Sequence, residues 1–325
     1  MMELIVSTKD LSEVVEKISW KGDTRQVART LEFSIVQKSS DKYLPKVTLA
    51  EGDEVLLKKD GAIIFGGILM DISMSVASGL VTYTALDLMF YINNSEINKV
   101  FSDTPENIAA WVCNYLEIPF GSAAKTGIQV YSPCLGKKAY DAIMSAYTAA
   151  SRKNGKKYIP LMKNVNQLHV IKKGKYCGVV LEGTYNLLDA NYKTSLQPMV
   201  NRVLITDKNG NPVRTVQSTD YPTDKYGTVQ KIYKQQDEKD DEAEAKALMQ
   251  GIEQSGSVTA LSDTRAVSGY GIAIQEPVSG LYGFFYIESD THTFINGMGE
   301  MQLTLAFSNM MDEKELDKTD DNKSA

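Results

Sequence analysis

Before residue 90 apolar and polar residues alternate with a period of two. Leu31, Phe33 and Ile35 are separated by Glu32 and Ser34, the pattern of a strand with one buried face. Val47 and Leu49 repeat it. Val55 and Leu57 then lead through Asp60-Gly61 into the apolar run 63–68, and a D-G pair between two such runs predicts a tight hairpin. Val81, Tyr83 and Ala85 add a further strand. About five strands thus precede residue 90, enough for a small barrel.

The period changes after residue 100. Thr104 followed by Pro105 predicts a helix start, a capping hydroxyl and then a proline whose missing N–H costs nothing at the first position. Ile108, Trp111, Val112 and Tyr115 fall at helical spacing and Pro119 stands just beyond, so an amphipathic helix runs to about Leu116. A second helix spans residues 138–152, with Tyr140, Ile143, Tyr147 and Ala150 on one face and Asn154-Gly155 as its stop. Short strands follow at 158–162 and 168–171, and the turn 172–175 suggests a hairpin. Residues 96–179 therefore read as a small α/β insert between two β regions.

Strands return after residue 180. Residues 202–206 and 213–216 flank the turn 207–212, and 227–233 is a third candidate. The acidic run 237–242 opens a helix through Ala243, Ala247 and Met249, where negative charge suits the positive end of the dipole. Three closing strands follow in quick succession. Ile272 and Ile274 mark the first. In the second, over 283–294, Phe285 and Ile287 share one face and Tyr286 and Glu288 the other. The third carries Met301, Leu303, Leu305 and Phe307. The fold class is mainly β with an α/β insert: a first β-barrel over 1–95, the insert over 96–179, a second barrel over 180–308 and an acidic tail over 309–325. From Asp312 onward the tail is charged and nearly free of apolar residues, so it is expected to be disordered and its deletion to leave folding intact.

Composition narrows the function. A chain of 325 residues exceeds what one core usually serves, so several domains are expected. A net charge of -6 argues against a surface built to hold nucleic acid, which needs clustered Lys and Arg. Cys113, Cys134 and Cys177 are widely spaced and form no C-x-x-C pair, so they read as separate reduced thiols of a protein made in the cytoplasm. The first twenty residues hold four carboxylates and no basic start with an apolar stretch, so no signal peptide is expected. The longest apolar run, 61–70, is about half of what a bilayer requires, so no membrane partner is expected.

Candidate chemistry is sparse. Asp207, Asn209 and Asn211 imitate the start of a calcium loop, but Pro212 replaces its glycine and Ser218 its bidentate glutamate, so a plain turn is favoured. The run 237–242 reads as a helix start rather than a cation site. The lysines of 153–157 read as the basic end of a helix, although Tyr158 beside them resembles a nucleic-acid patch. His169 and His292 are the only histidines. Asp290 and His292 stand two apart on one strand face, the geometry of a base with its orienting carboxylate, yet no nucleophile motif completes them. A polar rim position at a strand end is the reading preferred for both. No phosphate-cradling glycine loop is present. Catalytic, cofactor and metal residues are therefore each expected to be none.

Several separated segments carry a family resemblance. GDTRQVARTLEFSI at 22–35, GDEVLLKKDGAIIFGGILMDI at 52–72, YTALDLMFYINNS at 83–95, DKYGTVQKIY at 224–233 and GLYGFFYIESDTH at 280–292 together resemble the baseplate hub of contractile phage tails and tail-like bacteriocins. They are most similar to the hubs of defective prophages in Gram-positive bacteria. The resemblance implies a non-enzymatic, ring-forming protein with two tube-like barrels per chain. It implies a homotrimer with pseudo-sixfold symmetry that adapts a hexameric tail tube to a trimeric spike. The implied partners are the tube, spike, tape-measure and other baseplate proteins. The implied location is the particle, released by lysis. A tail tube or distal-tail ring protein is the nearest alternative. A tail-associated peptidoglycan hydrolase would need Asp290, His292 or Cys134 in a cleft. A carbohydrate-binding module would expose an aromatic platform at Tyr282, Phe284 or Tyr286.

Overall fold

A computed structural model of the chain describes residues 2–37, 46–75, 77, 79–237 and 239–316. The chain forms two compact units, Met1–Ala190 with Ser257–Ala325, and Asn191–Gly256. The first unit opens with β1 (Met2–Val6), β2 (Lys9–Asp10), β3 (Val15–Asp23), β4 (Gln26–Val36), β5 (Glu54–Lys59), β6 (Ala62–Ser75) and β7 (Leu80–Leu86). The expected hairpin is present: β5 and β6 pair antiparallel, and Asp60 and Gly61 both have positive φ, as the tight turn requires. Leu31, Phe33, Ile35, Leu57, Val81, Tyr83 and Ala85 share one buried core, in which the rings of Phe33 and Tyr83 stack at 5.0 Å. Val47 and Leu49 pack against this core without forming the expected strand. Their neighbourhood is tied by side chains instead: Gln37 Nε2 donates to the Val47 carbonyl at 2.6 Å, and Lys9 Nζ donates to the Thr48 carbonyl.

Between β7 and the strands that follow the insert lie α1 (Met89–Asn94), which precedes the expected insert, and then β8 (Glu96–Asp103), α2 (Pro105–Tyr115), β9 (Phe120–Ala123), β10 (Val130–Lys138), α3 (Ala139–Asn154), β11 (Tyr158–Lys163) and β12 (Gln167–Lys172). Thr104 is the N-cap of α2, but its hydroxyl makes no capping bond; Asp103 holds the turn by accepting from the Thr104 N–H and the Asn107 amide. Tyr115, expected on the buried face, is exposed and stacks on Trp111 at 4.9 Å. Helix α3 is buried around most of its circumference and ends at Gly155, whose φ of 69° supplies the left-handed C-cap. The hairpin lies between β11 and β12, through residues 164–166, and not at 172–175. That second turn leads into β13 (Tyr176–Glu182), which pairs with a strand of another sheet.

After β14 (Leu187–Ser195) the second unit holds β15 (Arg202–Thr206), β16 (Pro212–Gln217), α4 (Thr223–Tyr226), β17 (Gln230–Lys234) and α5 (Asp241–Ala247). β16 pairs antiparallel with β15 and β17 parallel with it, and Val200, Val203, Ile205, Tyr233 and Ala245 form a separate core. Asp240 caps α5 by accepting from the Glu242 and Ala243 N–H groups, so the acidic run is a helix start. Asp207 is consumed by its own turn, accepting from the backbone of Asn209 and Asn211 at 2.8 Å each.

The chain closes with β18 (Glu253–Leu261), β19 (Gly271–Glu276), β20 (Leu281–Ile295) and β21 (Met298–Ala306). The thirteen-stranded sheet runs β14-β18-β21-β20-β3-β4-β7-β6-β5-β1-β2, with β19 pairing β20 and β13 in turn pairing β19. β20 is the joint. Its residues 281–286 pair with β19, and its residues 289–295 pair with β3. The early and closing β regions are therefore one hydrogen-bonded sheet.

The tail departs from expectation. Met311 is buried in the core of the insert. Tyr140 donates to Asp312 at 3.1 Å, the Lys314 N–H donates to Thr148 at 3.1 Å, and Lys157 pairs with Glu313 at 3.0 Å. Arg152 at the end of α3 donates to Glu315 at 2.9 Å. One apolar anchor and a match between acidic residues and the basic helix end order residues 309–316; the remainder of the acidic tail, 317–325, lies outside the described residues. Removal of residues 310–325 is expected to lower unfolding free energy by about 2–4 kcal/mol, chiefly through Met311. Removal of 317–325 alone, which lacks a large apolar residue, is expected to change it by less than about 0.5 kcal/mol. Urea unfolding of both truncations checks this.

Candidate functional site

The Asp290 and His292 side chains lie in the interior, 1% and 0% exposed, and not at a strand rim. The cause is a β-bulge between Ile287 and Ser289 in the pairing of β20 with β21. Before it Phe285 and Ile287 face inward; after it the inward positions are Asp290, His292 and Phe294. The bulge moves the polar pair onto the buried face.

Arg29 on β4 meets Asp290 with both ends of its guanidinium, Nη1–Oδ1 at 3.0 Å and Nη2–Oδ2 at 2.5 Å. The Ser268 N–H adds a third bond to Asp290 at 2.6 Å. Gly22 of β3 leaves room for the arginine: a Cβ there would stand 2.2 Å from Arg29 Nη1. The guanidinium carbon also lies 4.2 Å from the centre of the Trp20 ring, and Trp20 packs on the His292 ring at 5.1 Å. Asp87, just after β7, is likewise buried and accepts from the Met89 N–H at 3.0 Å, which starts α1.

The ring nitrogens of His292 both have partners. Nε2 donates to the Ala266 carbonyl at 3.1 Å, and Nδ1 accepts from the Ser262 hydroxyl at 2.9 Å. Ser262, His292 and Asp290 therefore form a chain resembling a hydrolytic triad, with Nε2 3.5 Å from Asp290 Oδ2. Its electrostatics do not suit a base. Asp290 is already neutralised by Arg29, and burial pushes the imidazole down to about 4 despite Asp290. Charge within the cluster is spent on holding strands together.

The other sequence candidates are dispersed. His169 hydrogen-bonds Ser122 at 2.9 Å in the insert, and burial lowers its pKa. Cys134 contacts Ser132 at 3.3 Å, while burial pushes the Cys113 thiol up to about 12. Among the described residues no three His, Cys, Asp or Glu side chains are grouped to hold a metal. Tyr282 and Phe284 are exposed, but Phe284 meets Tyr286 edge-on at 85° and lies across Gly271, so the rings form no single stacking plane.

The sequence profile of the YQBQ-like family matches residues 18–306. The chain belongs to the YQBQ-like family. This YQBQ-like chain is 26% identical over 327 residues to the phage-like element PBSX protein XkdQ of Bacillus subtilis (strain 168), a match spanning 96% of this chain and 99% of that protein. Its structure is similar to the 43 kDa tail protein of prophage MuSo2 from Shewanella oneidensis, with TM-score 0.68 and 12% identity over 94% of this chain and 98% of that one. It is also similar, at TM-score 0.54 and 8% identity, to the E. coli c3393 protein, over 97% of this chain and 79% of that one. That protein is a type VI secretion component described as similar to the T4 tail proteins gp27 and gp5. The YQBQ-like chain thus has a mainly β, phage-tail fold.

Two buried groups give the cluster opposed pH dependences. Burial raises Asp87 from 3.8 to about 7, so its contribution to stability is complete below 3.8 and is lost as pH rises through 7. His292, lowered from 6.5 to about 4, costs nothing above 6.5 and penalises the fold as pH falls towards 4. Asp87→Asn keeps an acceptor for Met89 and removes the titration of Asp87. Between pH 6.5 and 4 it is expected to lose about 3 kcal/mol more stability than the parent, at about 1.4 kcal/mol per pH unit. Arg29→Met, which leaves Asp290 buried without its cation, is expected to cost about 3–5 kcal/mol at neutral pH. Denaturant unfolding across pH 4–8 reads both.

Proposed function

We propose that this chain is the baseplate hub of a contractile tail. Three copies form a ring whose six β-barrels match a hexameric tube above, while three chains meet a trimeric spike below. The barrel of residues 1–95 alternates with the barrel of residues 180–308 around the ring, residues 191–256 being an excursion from the second. The observation that carries the reading is β20, whose two halves join the early and closing β regions in one sheet. A chain built this way offers two β regions joined by one strand. The likeness of c3393 to gp27 and gp5 supports the same reading.

The partners are accordingly the tail tube, spike, tape-measure and neighbouring baseplate proteins. The protein acts in the particle and is released with it by lysis. No reaction is assigned to it. The Arg29-neutralised Asp290 and the poorly basic His292 support a structural role for the triad-like chain of Ser262, His292 and Asp290.

Cryo-electron microscopy of the assembled particle tests this, with an expected count of three copies per baseplate in a pseudo-sixfold ring on the tail axis. Six copies contributing one barrel each would instead identify a tube or distal-tail ring protein. Any position away from the axis would remove the hub assignment.

A further inference from the structure

A cleft of about 420 Å³ opens in the first unit beside the Arg29 cluster, within the size range of ligand sites. Four cations, Arg29, Lys163, Lys175 and Arg265, line it, and no carboxylate does among the described residues. That is unexpected in a chain of net charge -6. Asp290 and Asp263 occupy Arg29 and Arg265 from outside the lining. Lys163 and Lys175 have no carboxylate within ion-pairing distance among the described residues. Lys163 is held in place by the Tyr270 hydroxyl and lies 4.8 Å from that ring's centre.

Two unsatisfied donors lie beneath the same surface. Trp20 Nε1 and Arg29 Nε are buried donors without a hydrogen-bond partner among the described residues, and both residues line the cleft. Such orphans are uncommon in folded proteins, because an unmet buried donor costs about 1–3 kcal/mol of desolvation. The remaining walls include Ile63, Leu161 and Val267, so the site combines cationic groups with apolar surface.

We propose that this cleft binds an acidic peptide segment, with its carboxylates on Lys163 and Lys175 and its apolar atoms against the wall. The volume exceeds a lone oxyanion, and the apolar wall of Ile63, Leu161 and Val267 suits the side chains of a peptide better than a uniformly charged phosphate backbone. The site goes beyond the hub reading and does not depend on it.

The full chain carries two tryptophans, so Trp111→Phe leaves Trp20 as the reporter at the cleft. Hexaglutamate titrated into this variant at low salt is expected to change Trp20 fluorescence saturably. In the added presence of Lys163→Ala and Lys175→Ala the affinity is expected to fall about tenfold or more, as for loss of two charge contacts. If that variant fails to fold, Lys175→Glu alone, at an exposed position, is expected to weaken binding in the same direction. Citrate at equal carboxylate concentration and a single-stranded oligonucleotide are expected to bind more weakly than hexaglutamate. No response to hexaglutamate, or a response untouched by the lysine changes, overturns the proposal. Citrate binding as tightly would assign the cleft to small carboxylates, and tighter oligonucleotide binding to nucleic acid, either of which also overturns it.

Discussion

The buried pair of Arg29 and Asp290 is the constraint around which the first unit is organised. An ion pair removed from water is tolerated only when its geometry is good and its other polar atoms are met. Here the guanidinium meets both carboxylate oxygens and Ser268 supplies a further N–H. The partners are separated by 261 residues and sit on β4 and β20 with β3 between them. A register slip of β20 against β3 would put Asp290 on the opposite face and leave Arg29 buried and alone. The pair therefore specifies how the closing strands dock on the early ones, whatever its net contribution to stability.

Other residues are shaped by that demand. Gly22 is required beside Arg29 because any side chain there would occupy the guanidinium's space. Trp20 covers the cation with a ring face and His292 with the same ring's other contacts. A histidine in that position stays neutral, chiefly because burial penalises the charged ring and secondarily because Arg29 repels a second cation. Neutral imidazole can then donate to Ala266 and accept from Ser262, which ties the segment before β19 to the sheet. The triad-like geometry follows from these structural bonds.

Much of the local structure was legible in the sequence. The Asp60-Gly61 turn, the two long helices of the insert, the helix opened by the acidic run 237–242 and the three closing strands follow from period, turn chemistry and charge. The position of Asp290 and His292 was not, because a bulge adds one residue to a strand without a compositional mark. A counting argument from Phe285 and Ile287 necessarily puts Ser289 and Thr291 inward. One clue was present: Arg29 shares its parity with Leu31, Phe33 and Ile35, and Asp87 with Val81, Tyr83 and Ala85. Charges in the inward register of two strands signal a buried partner elsewhere, but not which one. The compact unit at 191–256 and the docking of 309–316 were equally hidden, since each depends on long-range packing of short segments.

The same bulge connects local geometry to the way the two β regions are joined. A 15-residue strand that pairs with β19 over its first half and β3 over its second must bend and twist between them, and an extra residue at the crossing point provides the bend. Backbone hydrogen bonds run through that bend without a flexible linker, so the two β regions are coupled by the sheet itself. A linker would leave their spacing free to vary, and a ring of alternating barrels tolerates little variation because each misplacement is repeated by symmetry. Placing the buried ion pair just past the bulge fixes the register where the strand changes partner. If the chain is a hub, the precision of its ring is set there, in the interior of each copy, before any contact between copies forms.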